Sequence, residues 1–211
     1  MFDWLEDKGL LYRKFRVIKA EIRIVGVDDG VFIPHERGFV DVVGVVFRGG
    51  YWLDGVMKTK IEVDGMDATQ KIASMILDSP HYKQLRIIML SGITFAGFNI
   101  VDIHELYDRT QLPVIAVTRN KPNFDDIRRA LENLPRKKER WEIIRKAGVP
   151  VEVQTHEGEA PIYIQTAGLR LEDAEKIVKI SSTQSNIPEP LRVAHIIASS
   201  LARFYAKENT K

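Results

Sequence analysis

Three apolar, β-branched runs follow one another early in the chain with no helical repeat between them. They are residues 21–27 (EIRIVGV), 39–47 (FVDVVGVVF) and 51–63 (YWLDGVMKTKIEV). Each reads as a strand. The first stops at the turn signal Asp28-Asp29-Gly30. Arg48-Gly49-Gly50 between the second and third is a hairpin signal, because glycine tolerates positive φ. The third run alternates more strictly, so one of its faces is expected to be wet. Together they predict an antiparallel meander.

The hydrophobic period then changes. Ala68, Ile72, Ala73, Met75 and Ile76 share one face of a helix, with Asp67 as its expected N-cap. Leu85–Leu90 reads as a fully buried parallel strand, Asn99–Tyr107 as a helix and Pro113–Val117 as the next buried strand. Beyond Pro122 the pattern is helical and highly charged to about Ala147. Residues 151–155 and 161–166 form an expected hairpin around Glu157-Gly158-Glu159, and helices at about 171–180 and 190–207 follow. No repeat or linker interrupts residues 1–211, so a single domain is expected.

Composition narrows the chemistry. The 211 residues contain no cysteine, which excludes thiol catalysis, cysteine–zinc sites and iron–sulfur clusters and fits a reducing cytoplasm. The segment MFDWLEDKG is acidic and lacks the apolar core of a signal peptide. The longest uncharged stretch, Ile87–Val101, is too short to span a membrane. The formal charge is only +2, from 31 basic and 29 acidic residues, so overall charge does not announce a nucleic-acid binder. Between Arg119 and Lys146, however, ten basic residues face five acidic ones. There Arg136, Lys137 and Lys138 beside Trp141 could contact phosphate and stack on a base of DNA or RNA. A solvated helix laced with ion pairs explains the same pattern.

In open α/β sheets ligands bind beyond the carboxyl ends of the strands. That places a candidate site at Asp28 and Asp29 after the first strand and at Ser91-Gly92 after the fourth. Carboxylates there are hard ligands suited to Mg²⁺ or Mn²⁺, although adjacent aspartates on an extended chain point to opposite faces. Asp64 and Asp67 form a second acidic pair before a helix, where a turn and a cap are the simpler roles. The glycine-punctuated segment Ser91–Asp102 allows close backbone approach to a ligand. Asp102, eleven residues after Ser91 and about two turns into the expected following helix, reads as a cap or as the partner of a buried amide. Arg192 and His195, three apart, share one face of the last helix.

An antiparallel meander followed by right-handed βαβ crossovers is the pattern of the ribonuclease H-like fold. Several motifs, in order, resemble endonuclease V within that superfamily. Gly26-Val27-Asp28 is similar to the end of its first strand. Ser91-Gly92 through Pro113-Val114-Ile115-Ala116-Val117 is similar to its Asp-Gly strand end, helix and following strand. Arg119 falls where that family carries lysine. Pro188–His195 (PEPLRVAH) is similar to the run that opens its last helix. The resemblance is closer still to an archaeal family of unknown function beside endonuclease V. It implies an α/β endonuclease V-like mixed sheet: three antiparallel strands, parallel βαβ units, then a hairpin and helices. It also implies a Mg²⁺ or Mn²⁺ site with Asp28 as first carboxylate, Asp67 or Asp64 as second, and His195 and Arg119 at the scissile phosphate. Ser91 stands where a further aspartate is expected, and the Tyr-Ile-Pro wedge has no match; Phe32-Ile33-Pro34 lies in another place. Two readings follow: a nucleic-acid-binding descendant with a degraded metal site, or an active endonuclease working through Asp28, Asp67 and His195.

Overall fold

The computed structural model describes Phe15, residues 17–32 and residues 38–208, with side chains to Leu201. The MFDWLEDKG segment, and Ile33 and Pro34 of the Phe32-Ile33-Pro34 run, lie outside the described residues.

The three early runs form β1 (Arg23–Asp29), β2 (Phe39–Arg48) and β3 (Trp52–Glu62), an antiparallel meander turning at Gly49-Gly50. Helix α1 (Ala68–Leu77) leads to β4 (Ile87–Ser91), then the small hairpin β5 (Thr94–Phe95) and β6 (Asn99–Ile100). Helix α2 (Ile103–Thr110) crosses to β7 (Val114–Thr118). Helices α3 (Phe124–Leu131) and α4 (Lys137–Lys146), strands β8 (Val151–Val153) and β9 (Ile162–Ala167), and helices α5 (Leu171–Ser181) and α6 (Glu189–Glu208) complete the chain. The main sheet has the order β3-β2-β1-β4-β7-β9-β8. β1, β4 and β7 are mutually parallel, and the rest of the neighbouring pairs are antiparallel. This is the expected mixed sheet.

Alternation along each central strand sends side chains to two separate layers. Val25 and Val27 of β1, Ile88 and Leu90 of β4 and Val114 of β7 pack with Ile72 and Ile76 of α1, Leu106 of α2 and Ile144 of α4. Ile24, Met89 and Ile115 face the opposite way, onto Ile177 and Val178 of α5 and Leu191 of α6. Ala194 and Ala198 of α6 cover Val43 and Val45 of β2. No helix among the described residues is long and apolar enough to cross a membrane.

Three details differ from the sequence expectation. Asp28 and Asp29 do not follow β1 but are its last two residues, paired with Val43 and Val42. Asn99–Tyr107 is not one helix: Asn99 and Ile100 are strand, and α2 starts only after Asp102. Asp102 Oδ1 accepts from the amides of His104 at 2.9 Å and Glu105 at 3.0 Å, so it is the cap that sets the helix start. The charged helical stretch is broken in two at Pro135-Arg136, where Arg136 takes a left-handed φ of 54°.

One glycine decides how α6 lies on the sheet. A Cβ on Gly26 would stand 2.6 Å from the Cβ of Pro190 and closer still to its carbonyl group. The first turn of α6 therefore rests on bare backbone in the middle of β1. Gly26→Ala is expected to push α6 off the strand and to lower stability by about 2 kcal/mol, measured by urea unfolding. The same movement separates the residues that β1 and α6 bring together.

Candidate functional site

Because Gly26 admits Pro190, α6 runs past the end of β1 and lays His195 against Asp28. His195 Nδ1 lies 2.9 Å from Asp28 Oδ2. The other oxygen of Asp28 accepts from the backbone amide of Asp29 at 3.0 Å. Asp28 is buried, whereas the His195 side chain is 60% exposed. The carboxylate thus fixes the imidazole: Nδ1–H donates inward, and Nε2 is left as the acceptor on the solvent side. Asp28, Asp29, Ser91, Arg119, Arg192 and His195 line one cavity of about 590 Å³ at the carboxyl ends of β1, β4 and β7. This is where the parallel-strand rule puts a ligand.

Both adjacent aspartates reach this cavity, although strict alternation allows only one of them to do so. Asp29 closes the strand, and its Oδ2 accepts from the amide of Ala96 at 2.7 Å, tying β1 to the β5–β6 turn. The electrostatics of the pair are unfavourable. Burial raises the pKa of Asp28; the Asp29 amide, the imidazole of His195 and the hydroxyl of Ser91 each pull it back. Burial, reinforced by the charge of Asp28, lifts Asp29 to about 6 against the restraint of the Ala96 amide. Two desolvated oxygen donors that repel one another match a hard divalent cation of the Mg²⁺ or Mn²⁺ kind. Among the described residues no three His, Cys, Asp or Glu side chains are arranged to hold a metal ion together, so the remaining positions around such an ion would fall to water.

The raised Asp29 value carries a pH signature. A folded-state value of about 6 against an ordinary 3.8 means that the folded chain holds this proton more tightly. Its favourable contribution is complete below pH 3.8 and is lost as the pH rises to about 6. Relative to the low-pH limit, the fold above pH 6 is thereby less stable by about 3 kcal/mol. Asp29→Asn keeps an acceptor for Ala96 and removes the charge. In chelator-treated protein it is expected to raise the melting temperature at pH 7.5 and to leave it unchanged at pH 3.5. An equal shift at both values would contradict this account.

Asp64 and Asp67 do not line the cavity of Asp28. Asp67 Oδ1 accepts from the amide of Glu62 at 3.2 Å and from Asn99 Nδ2 at 2.6 Å. It occupies the N-cap position of α1 without capping it; Asn99 Oδ1 takes the Ala68 amide at 2.9 Å instead. Asp64 Oδ1 accepts from Phe98 N at 2.8 Å, and the amide of Asp64 donates to Ala96 O at 2.9 Å. Ala96, at a left-handed φ of 42°, is thus gripped by Asp29 on its amide and by Asp64 on its carbonyl. Gly97 (φ 86°) is packed so closely on the Asp64 carboxylate that a Cβ has no room.

Arg140 locks this arrangement. Its side chain is 1% exposed and donates to the carbonyls of Gly65 at 3.0 Å, Asp64 at 2.6 Å, Pro135 at 3.0 Å and Phe98. The other candidate nucleic-acid contacts sit around it. Arg136 forks onto Glu139 at 2.6 and 2.7 Å, and Lys137 pairs with Glu132 at 2.5 Å. Trp141 packs edge-on against Phe124 at 6.4 Å between ring centres, with the Arg128 guanidinium 6.0 Å away. Lys138 is exposed. The sequence sets Arg192 on the same helix face as His195 without giving it a part in the site; the structure brings it into the cavity.

The comparisons with known proteins bear on the family and the fold. The family model described as Endonuclease dU matches residues 20–202. A UPF0215 protein of Methanothermobacter thermautotrophicus is 54% identical over 89% of this chain and 91% of its own length. A solved protein of unknown function from Archaeoglobus fulgidus shares 41% identity, with a TM-score of 0.76 over 85% of this chain and 98% of that one. Endonuclease V of Ciona intestinalis, solved with DNA containing an inosine followed by a ribo-adenosine, is 17% identical. It superposes with a TM-score of 0.54 over 89% of this chain and 87% of its own, so it shares the fold. With a seven-stranded endonuclease V-like sheet and a family match over nearly all of its length, the chain belongs to the Endonuclease dU family.

Proposed function

We propose that the protein is a metal-dependent endonuclease that hydrolyses phosphodiester bonds in nucleic acid carrying deoxyuridine. The observation that carries this reading is the Asp28–His195 pair, placed in a cavity that also presents Asp29, Arg119 and Arg192. A Mg²⁺ or Mn²⁺ ion held by Asp28 and Asp29 would supply an activated water and charge neutralisation at the leaving oxygen. Asp28 fixes the tautomer of His195, whose Nε2 is then placed to accept or return a proton at the substrate. Arg119 and Arg192 hold the phosphate. The damaged-base substrate is supported by the family description, and the DNA partner by the inosine-containing complex of the Ciona protein. Cytoplasmic residence fits a cysteine-free chain acting on genomic DNA. Asp64 and Asp67 serve the site indirectly, by holding the β5–β6 turn that Asp29 also grips. The phosphate track is assigned to Arg119 and Arg192, which line the cavity with Asp28 and His195, rather than to Arg136, Lys137, Lys138 and Trp141, which do not.

One observation favours the reading of a binding module without turnover: Ser91, at the end of β4, brings a hydroxyl rather than a third carboxylate to Asp28. The two are separated by one assay. Wild-type protein is incubated with an end-labelled duplex containing a single deoxyuridine, with Mn²⁺, with Mg²⁺ or with chelator, and Mn²⁺ binding is followed by calorimetry. Metal-dependent incision near the deoxyuridine supports the endonuclease. Tight duplex binding without incision in any metal supports the binding module.

A further inference from the structure

Glu189 is a buried carboxylate on the first turn of α6 that the reading above leaves without a task. It is 4% exposed and does not line the cavity. One turn on, Arg192 lies across it: Nε is 2.9 and 3.1 Å from the two carboxylate oxygens, and Nη2 is 2.7 Å from Oε2. The carboxylate grips one edge of the guanidinium fork. The other edge, made of Nη1 and the second hydrogen of Nη2, forms no hydrogen bond to a described residue. Arg192 is 39% exposed and lines the cavity with His195 and Arg119.

A guanidinium has two edges that can take a planar pair of oxygens. Holding one edge removes most of the rotamer freedom of a long side chain and directs the second edge at a single place. The pair is formally neutral, so it adds little to long-range attraction of a polyanion. What it adds is direction. Its base is firm, because Pro190, between the two residues, is seated on the bare backbone of Gly26.

We propose that Glu189 is a positioning residue that presents the free edge of Arg192 to two oxygens of a nucleic-acid phosphate in the Asp28–His195 cavity. The proposal rests on the endonuclease reading for the identity of the polymer, and on the fork alone for the anion. It makes a prediction opposite in sign to simple electrostatics. Glu189→Gln adds one positive charge beside the cavity and should tighten a polyanion if charge alone matters. If Glu189 aims the guanidinium, the same change weakens binding.

The test is a double-mutant cycle with Glu189→Gln, Arg192→Gln and the double variant. Affinity for a fluorescent duplex carrying one deoxyuridine is read in chelator. In parallel, inorganic phosphate is titrated while the Arg192 Nε–Hε resonance is followed. Expected results are an approximately tenfold loss of duplex affinity for Glu189→Gln and no further loss when it is added to Arg192→Gln. Phosphate is expected to shift the Arg192 resonance in wild type but not in Glu189→Gln. Unchanged or tighter duplex binding by Glu189→Gln overturns the proposal. So does a loss that persists in the Arg192→Gln background, which would mark a merely structural carboxylate. If wild type binds no duplex but phosphate still shifts Arg192 in a Glu189-dependent way, the endonuclease reading fails and the positioning role stands. If phosphate leaves Arg192 unmoved as well, both fail.

Discussion

Asp28→Asn is expected to lower the rate of metal-dependent incision by about a thousandfold, the scale seen when a charge-stabilising group is removed from an active site, while the chain stays folded. Two effects act together. The charge that would hold a cation at the end of β1 disappears. The imidazole also turns over its proton: an asparagine amide facing His195 Nδ1 donates, so Nδ1 becomes the acceptor and Nε2 carries hydrogen. Nε2 then cannot take a proton from water or substrate. The fold has no reason to suffer, because burial already disfavours the Asp28 charge and the asparagine oxygen still accepts from the Asp29 amide. Single-turnover incision, calorimetric Mn²⁺ binding and thermal unfolding on one preparation check all three points. Incision at the wild-type rate would remove Asp28 from the chemistry, and lost incision with retained Mn²⁺ binding would assign its part to the His195 tautomer alone.

Arg140→Met is expected to give the largest loss of stability, about 3–5 kcal/mol. Methionine fills much of the volume with an apolar stem but satisfies none of the four carbonyls that the guanidinium reaches. Those of Asp64, Gly65 and Phe98 belong to the turns that meet beneath the β5–β6 hairpin, and each unsatisfied buried carbonyl costs about 1–3 kcal/mol. Urea unfolding measures the loss. Amide hydrogen exchange should show protection lost first at residues 94–99 rather than in the central strands. A loss below about 1 kcal/mol, within the range of an exposed ion pair, would mean that Arg140 only decorates α4.

That Arg140 escaped the sequence reading is instructive. It lies in a run of basic and acidic residues whose pattern is that of a wet helix, and nothing local marks one of its ten basic residues as buried. Three of its four partners are 42, 75 and 76 residues away in the chain. The same holds for the β5–β6 hairpin, whose left-handed Ala96 is held by Asp29, 67 residues earlier, on its amide and by the amide of Asp64 on its carbonyl. The central strands were legible because unbroken valine and isoleucine runs have few other uses, and the meander followed from Gly49-Gly50. The start of α2 was misread because the apolar residues Ile100 and Val101 continue the helical spacing through the cap at Asp102. At the site, Asp28 and His195 were legible from motifs at the two ends of the chain. Asp29 was not, since alternation along an ideal strand turns it away and only the contact with Ala96 explains its aim. Asp64 and Asp67 read as an acidic pair before a helix, but their oxygens are taken up by Phe98, Glu62 and Asn99.

The separation of 167 positions between Asp28 and His195 also sets an order of events during synthesis. β1 leaves the ribosome before α6, with its carboxylates bare and His195 not yet there to pair with Asp28. Everything that follows, from the meander to the β8–β9 edge, can condense while the cavity still lacks one wall. Only when α6 emerges and Pro190 finds Gly26 do Asp28, Arg192 and His195 share one space. The sheet can be complete, yet the cavity waits for α6 to be made.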